Sequence, residues 1–293
     1  MNAQLLVPIV AVFASSAAAV LALRRLAPRM AVVLLTICIA LTSVVASVLL
    51  LQLAAAGASE IPFVADTIGW CRVLYGGQHG ASPIVGLIAL AVLAAASVRG
   101  WLHLRGARRA HRSFGQIRGV EIIETDQPVA FAVPGPKGGV VISRSLLEQL
   151  DRDERHALLA HENAHLRHHH HLYVRFAEVC AAAFPLLRPL ASRVRLFTER
   201  WADEVAAERV GSRALVAATI AKVALLPASA PPAHALAMGG AAVIERFDAL
   251  TSPQHRMGLW TQILLGAVMV VIVSGAMFQV HQLADFIAHS GHA

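Results

Sequence analysis

Long runs without a charged residue constrain the fold of this chain more than any other feature. Leu5–Leu23 is 19 residues long, Met30–Ala56 is 27 and Leu259–Val280 is 22. A helix needs about 20 residues to cross the roughly 30 Å hydrocarbon layer of a bilayer. Each of the three runs therefore predicts a membrane-spanning helix.

A further apolar segment, Pro83–Leu104, is a weaker candidate for a span. Its uncharged core, Ile84–Val98, has only 15 residues. Spanning therefore requires the stem of Arg99 to extend toward the headgroups and Trp101 to lie at the interface. The alternative is a buried or interfacial helix. With this segment included, the chain is predicted to be an α-helical polytopic membrane protein with four transmembrane helices.

Arginines beside the apolar runs predict how the spans are oriented. Arg24–Arg29 is basic, and residues 99–118 contain six arginines and no acidic residue. Because short arginine-rich segments stay on the cytoplasmic side, residues 105–256 are predicted in the cytoplasm, whereas both termini and the segment Gly57–Ser82 are predicted on the exoplasmic side of the cell membrane. The first run lacks the preceding positive charge of a cleaved signal and is expected to be a retained anchor. The same arginine placement argues against direct nucleic-acid binding, despite a formal charge of +7.

The polar stretch 105–256 is the only part large enough to form a folded core outside the membrane. Three N-terminal spans, at about 5–23, 30–56 and 83–104, are predicted to occupy residues 1–104. Residues 257–293 are assigned to the fourth span and a short exoplasmic tail. The cysteines Cys38, Cys71 and Cys180 are too scattered for a disulfide framework or a zinc ribbon.

The sequence pattern of the polar stretch predicts strands followed by helices, which indicates an α+β domain. Strands are predicted at Val120–Thr125, Val129–Val133 and Val140–Ser143, the last two forming a hairpin around Pro134–Gly139. Helical patterns then follow, with a helix start at Asp151. The helix after the histidines is predicted to be broken at Pro185 and Pro189. Later helices are predicted at Arg195–Val210, Ala214–Leu226 and Ala241–Leu250, and a linker is predicted at Pro227–Gly240.

The run His161-Glu162-Asn163-Ala164-His165 has the spacing of a metal-dependent hydrolase. Residues four apart share a helix face, so His161 and His165 can bind one ion. Glu162 lies about 100° round the helix, where it can take a proton from a metal-bound water. Roughly 3% of chains of this composition contain such a pattern by chance. A third ligand is therefore needed to support a zinc site.

Glu199 is the predicted third ligand, because a catalytic zinc takes three protein ligands and keeps its fourth position for water. It lies 34 residues after His165, on a separate predicted helix. Asp203, one turn further along, can accept the second ring N–H of a ligand histidine. The alternative is a solvated helix face, in which Glu199 pairs with Arg195 and Asp203 pairs with Arg200.

Three further features have roles that the sequence leaves open. At most one or two of His168–His171 can approach the metal, because successive helix positions point in different directions. Tyr173 and Arg200 are both candidates for stabilising a negatively charged oxygen in the transition state. Either strand of the hairpin could offer its edge to an extended substrate, or the hairpin could be an ordinary core element.

Taken together, these residues resemble the BlaR/MecR-type membrane metallopeptidases, relatives of HtpX-like enzymes and CAAX prenyl proteases. The resemblance is carried by VAFAV…VVISRSLLEQL, HENAH, ERWAD, AAVIERFDAL and the four-span layout. It implies an inserted zincin-like metalloendopeptidase domain of the gluzincin type. In it, zinc is bound by His161, His165 and Glu199, Glu162 is the catalytic base, and Asp203 lies behind the ligands. It also implies cleavage of a cytoplasmic protein, typically a transcriptional repressor, and sometimes self-cleavage.

The chain departs from the sensors of that family, which carry an extracellular penicillin-binding domain after the last span. Only 13 residues follow Val280, and neither lysine stands in an S-x-x-K motif, so covalent sensing of β-lactams is not expected. The leading expectation is a signalling protease whose partners are the lipid bilayer and a cytoplasmic protein substrate. Assembly of the chain into a homo-oligomer is compatible with the sequence. The alternatives are an HtpX-like quality-control protease and a non-catalytic metal-binding receptor. An intact Glu162 argues against the receptor.

Overall fold

The structure, a computed structural model, describes residues 26–58, 60, 63, 82–113, 117–135, 138–226 and 239–252, and isolated positions from 267 to 281. The predicted first span, Leu5–Leu23, lies outside the described residues, as do most of Gly57–Ser82 and of the linker Pro227–Gly240. Only isolated positions of the predicted fourth span, Leu259–Val280, are described, and each has helical backbone.

Two long apolar helices occupy the second and third predicted spans. Helix α1 is Pro28–Ala58 and helix α2 is Pro83–Ser113. Within the described residues, these are the two helices long and apolar enough to cross a membrane. Helix α2 continues without a break past Arg99 and Trp101, so the domain boundary predicted at residue 105 falls inside a helix.

Helices α1 and α2 touch backbone to backbone at Gly57 and Gly86. A Cβ atom added to Gly86 would lie 2.7 Å from the Cα of Gly57, and one added to Gly57 would lie 2.5 Å from the Cα of Gly86. Only glycine fits at both positions. Close approach through small residues is typical of helix pairs that pack within a membrane.

A three-stranded sheet follows, made of β1 (Gly119–Ile123), β2 (Ala130–Val133) and β3 (Gly139–Ser143). Strands β2 and β3 are antiparallel, which confirms the predicted hairpin. Strand β1 pairs parallel to β3, so the order is β1-β3-β2. Since the buried strand β3 is central, β2 is the hairpin strand whose far edge has no strand partner among the described residues.

Six helices complete the described part of the polar region. The helix that carries the histidine motif starts where predicted: Asp151 accepts a hydrogen bond from the N–H of Glu154, whose side chain accepts one from the N–H of Asp151. The helices are α3 (Arg144–Gln149), α4 (Arg152–Arg167), α5 (His170–Ala183), α6 (Arg188–Val210), α7 (Arg213–Leu225) and α8 (Gly239–Thr251).

Helix α6 begins earlier than the predicted start at Arg195. The chain turns at Pro185–Leu187 in a short 3-10 helix, which confirms the break at Pro185. The break predicted at Pro189 is wrong, because that proline lies in the first turn of α6. The missing N–H of proline costs no helical hydrogen bond there.

The apolar helix α1 packs directly on α6 along its N-terminal half. Leu35 and Ile39 of α1 share a buried cluster with Val194 and Phe197 of α6. At the start of α1, the Arg29 guanidinium lies 5.9 Å from the centre of the Trp201 ring. Residues on both sides of the predicted boundary at 105 therefore share one hydrophobic core.

We expect Gly86→Ala to lower the thermal stability of the detergent-solubilised protein. The added methyl group forces α1 and α2 apart, and overpacking of this kind costs about 1–3 kcal/mol. Gly106→Ala in the same helix is the matched control, because nothing lies within 4 Å of its Cβ position. There the better helix propensity of alanine should leave Tm unchanged or raise it. Equal Tm values for the two variants would contradict a tight helix crossing.

Candidate metal centre

The three predicted ligands converge on one point between α4 and α6. His161 and His165 lie one turn apart on α4, and Glu199 faces them from α6. The Nε2 atoms of the two histidines are 3.1 Å apart. Glu199 Oε2 is 3.4 Å from His161 Nε2, and Glu199 Oε1 is 3.7 Å from His165 Nε2. Among the described residues, this is the group whose ligand atoms are close enough to hold one metal ion.

These separations fit a metal ion of the size of zinc. Two N or O ligands, each about 2.0–2.2 Å from one zinc ion in tetrahedral geometry, lie roughly 3.3–3.6 Å from each other. The three observed separations scatter around that value. Two imidazole nitrogens and a carboxylate are also a donor set that suits zinc. The residues present therefore fit a metal site.

The charges at the centre also favour a bound cation. Burial opposes ionisation of Glu199, but both histidines and Arg246 outweigh it and hold its pKa well below the usual range. Burial lowers the pKa of His165 to about 4, which leaves a neutral ring with a free lone pair. Burial also acts to lower the pKa of His161, yet Asp203 and Glu199 raise it to about 10. A metal ion at His161 must displace this proton, because a ligand histidine is neutral.

Asp203 lies behind the ligands and is almost completely buried, at 1% exposure. Its Oδ1 atom is 2.9 Å from Nδ1 of His161, the ring nitrogen that faces away from the other ligands. Arg246 of α8 donates to both carboxylate oxygens of Asp203, at 2.8 and 2.7 Å. A third nitrogen of Arg246 is 3.3 Å from Glu199 Oε2. One guanidinium thus connects the ligand Glu199 with the residue that orients His161.

The alternative in which Glu199 and Asp203 form surface pairs with nearby arginines does not match the structure. Arg195 pairs with Glu178, and the Arg200 guanidinium lies over the Phe197 ring, 5.1 Å from its centre. The partner of both carboxylates is Arg246, which was not predicted from the sequence. The one sequence feature that pointed to Arg246 was the AAVIERFDAL segment that contains it. The position of this segment along the chain does not indicate a contact with α6.

Glu162 is buried beside the ligands, and it lines a cavity together with His161 and Glu199. Burial raises the pKa of its carboxyl group, although an accepted hydrogen bond from the Ala132 N–H acts in the opposite direction. The cavity has a volume of about 280 Å³. Besides His161, Glu162, Glu199, Arg246 and the small polar residue Thr219, its walls are apolar: Ala130, Ala157, Leu158, Val216, Ile220, Val223, Ala224 and Val243.

The edge of strand β2 that has no strand partner among the described residues passes the cavity. The carbonyl of Val129 accepts a hydrogen bond from the N–H of Ser143, at 2.8 Å, so residue 129 faces β3. Since antiparallel ladders alternate, Ala130 and Ala132 direct their backbone groups to the opposite edge. Ala132 uses its N–H to hold Glu162, and Ala130 lines the cavity.

The histidine run does not add a ligand atom to the cluster. His169 is exposed, His168 lies against the Trp201 ring at 4.8 Å, and His170 is buried beside His165. Tyr173 packs near Trp201, and neither it nor Arg200 is among the residues that line the cavity. The structure therefore selects neither of them as a group that contacts substrate.

We expect Arg246→Ala to destabilise the metal-free protein much more than Arg193→Ala. Removing Arg246 leaves the buried Asp203 carboxylate without its main partner, and breaking a buried pair costs about 3–5 kcal/mol. Arg193 makes a single contact with Glu245, at 3.3 Å, and both side chains are about one third exposed. Its loss should cost at most about 1 kcal/mol. The Tm values of the two metal-free variants test this, and similar values would contradict a structural role for the Arg246–Asp203 pair.

Comparison with known sequences agrees with this geometry. Residues 97–225 match the sequence model of peptidase family M48. No curated protein and no solved structure matches the chain. The matched stretch runs from α2 to α7 and includes His161, Glu162, His165, Glu199 and Asp203, whereas Arg246 lies beyond it. The match is to family M48 as a whole, so the resemblance to its BlaR/MecR-type relatives stays a prediction. Residues 97–225 are therefore similar to peptidase family M48, and the three converging donors within them support a metallopeptidase.

Proposed function

We propose that the chain is a membrane-embedded zinc endopeptidase that cleaves a protein on the cytoplasmic side of the cell membrane. One observation carries the proposal: the buried carboxyl group of Glu162 opens onto the same cavity as His161 and Glu199, two of the three converging ligand donors. A site that only stored or sensed metal would have no use for this group. Support for the membrane comes from the two long apolar helices, and support for the orientation comes from the arginines that flank them.

His161, His165 and Glu199 would hold the zinc ion. When bound, zinc supplies Lewis-acid activation of water and of the scissile carbonyl group. Asp203 holds the ring of His161 through Nδ1, and Arg246 holds both Asp203 and Glu199 in place. Two of the three ligands are thus oriented by groups that are themselves buried and paired.

Glu162 is suited to act as the general base and then as the general acid. Its raised pKa brings it nearer to neutral pH, where a group can both accept and return a proton. The Ala132 N–H fixes the carboxylate at the cavity wall. Glu162 would take a proton from the attacking water and deliver it to the amine that leaves when the peptide bond breaks.

Substrate would bind as an extended segment along the edge of β2 that faces the cavity. An edge strand offers backbone N–H and C=O groups to any peptide, so it supports recognition of a polypeptide rather than of a small molecule. Of the two hairpin strands considered from the sequence, β3 is central and β2 is the one whose edge faces the cavity. The apolar cavity walls then favour an apolar side chain beside the scissile bond.

The substrate is proposed to be a cytoplasmic protein, with a transcriptional repressor as the first candidate. That proposal rests on the resemblance to BlaR/MecR-type peptidases, and the second candidate function is quality control of membrane proteins by an HtpX-like enzyme. The two differ in the number of substrates, because signalling requires cleavage of one protein whereas quality control requires cleavage of many.

New protein N-termini in cells that carry the wild type or Glu162→Gln test the function directly. We expect cleavages that are present with the wild type and absent with Glu162→Gln, while the purified variant still holds about one zinc per chain, because the base is not a ligand. Glu199→Ala is the contrast and should lose both metal and cleavage. Identical N-termini with the wild type and Glu162→Gln would contradict a protease function.

We expect Ala224→Phe to shift cleavage toward sites with small residues beside the scissile bond. Ala224 lines the cavity, so an aromatic ring at this position fills space that a substrate side chain would use. Leu225→Phe is the control on the neighbouring residue, which is 84% exposed. Digestion of a peptide library by the detergent-solubilised full chain measures the preference. If both variants keep the wild-type preference, this cavity does not receive a substrate side chain.

A further inference from the structure

We propose that His170 is a positioning residue that orients the ring of His165 by accepting a hydrogen bond from its Nδ1–H. The proposal rests on the metal-ligand role of His165 in the proposed function. It gives a role to one histidine of the His168–His171 run, for which the sequence suggested no definite role. The residue that orients the metal ligand His165 would then be a neutral imidazole, that of His170, rather than a carboxylate.

The contact between the two rings is short and buried. His170 is 1% exposed, and its Nδ1 atom lies 3.1 Å from Nδ1 of His165. The rings meet edge to face, with centres 4.8 Å apart and planes at 90°. His165 therefore directs Nε2 toward His161 and Glu199 and Nδ1 toward His170, so both of its ring nitrogens have a defined neighbour.

The chemistry of a ligand imidazole determines the direction of this hydrogen bond. A metal ion binds the lone pair on Nε2, so the ring proton of His165 must stay on Nδ1. That N–H can only donate to an atom with a lone pair. Nδ1 of His170 must then be the acceptor, and the proton of His170 must lie on its Nε2.

An uncommon backbone conformation places His170 under His165. His169 has a φ of 52°, and it is the one non-glycine residue with positive φ in the described part of the chain. This left-handed residue ends the path of α4 and starts α5 in a new direction. Without the turn, a continuous helix would carry position 170 about 140° away from the face of His165.

Packing, rather than further hydrogen bonding, holds the ring of His170. Its centre lies 4.6 Å from the centre of the Trp201 ring on α6. Its Nε2 atom has no hydrogen-bond partner among the described residues. Trp201 is two residues after Glu199, so the residue that supports His170 belongs to the same helix as the third ligand. The orientation of His165 is thereby tied to the position of Glu199.

The two ligand histidines are consequently supported in different ways. His161 lies against the ionised Asp203, which strengthens the imidazole as a ligand, whereas His165 lies against a neutral ring that fixes direction without adding charge. Loss of His170 should therefore loosen the geometry of the centre more than it changes its charge. A spectroscopic probe of geometry is needed to see this effect.

Metal affinity of three purified full-length variants tests the proposal. His170→Leu removes the acceptor and should weaken zinc binding by about 10–100-fold in a chelator competition. His170→Gln keeps an acceptor oxygen and should recover most of the affinity. His169→Asn is the matched control, because asparagine tolerates the left-handed conformation and the side chain is exposed. It should bind zinc like the wild type.

The absorption spectrum of the cobalt-substituted protein provides the second measurement. It should change in His170→Leu and resemble the wild type in the other two variants. Wild-type affinity and spectrum in His170→Leu, or a His170→Gln variant as weak as His170→Leu, would overturn the proposal. If His170→Leu does not fold, the comparison of His170→Gln with His169→Asn decides. Glu199→Ala is the reference for the site itself: full metal loading there would instead remove the proposed metal centre.

Discussion

The double hydrogen bond between Arg246 and Asp203 is the interaction on which the candidate centre depends. It joins three helices that are far apart in sequence, since Asp203 belongs to α6, Arg246 to α8, and the neighbouring His161 to α4. A bidentate pair between a planar guanidinium and a carboxylate defines both distance and angle. The positions of α4 and α6, and with them the distance from His161 to Glu199, therefore follow from a contact made by the last described helix of the polar region.

The same contact balances charge in a poorly solvated region. Three carboxyl groups, those of Glu162, Glu199 and Asp203, lie close together, and those of Glu162 and Asp203 are buried. Such groups are costly to bury unless cations accompany them. Arg246 supplies one permanent positive charge, and His161 holds a proton in the absence of metal. A divalent cation at the ligand atoms would complete this balance, which gives an electrostatic reason for the site to bind metal.

Local sequence patterns predicted the parts of the structure that depend on neighbouring residues. The turn between β2 and β3, the cap formed by Asp151 and Glu154, and the shared face of His161 and His165 all follow from spacings of a few residues. The meeting of Glu199 with the histidines was also predicted, because the chemistry of a catalytic metal requires a third ligand. The local pattern around Glu199 does not show that it meets the histidines, but the need for a third metal ligand does indicate this contact.

Contacts between distant residues were not predictable in the same way. Nothing local to Arg246 indicates that it will meet Asp203, and nothing in β1 indicates a parallel pairing with β3. The role of His170 was hidden for a different reason. The sequence analysis placed His168–His171 at successive helix positions, whereas His169 adopts a left-handed conformation that interrupts the helix.

The packing of α1 on α6 also sets the height of the centre above the bilayer in the proposed membrane arrangement. Helix α1 has 31 residues, or about 46 Å at 1.5 Å per residue, while the hydrocarbon layer takes up only about 30 Å. In the proposed arrangement, the excess of roughly 15 Å would lie at the N-terminal end of the helix, which packs on α6 and has Trp201 beside its first turn. A substrate anchored in the same membrane would need about five extended residues between its own span and its scissile bond to reach the centre. In the proposed arrangement, the length of this apolar helix would therefore limit which peptide bonds of a membrane-bound substrate can reach the centre.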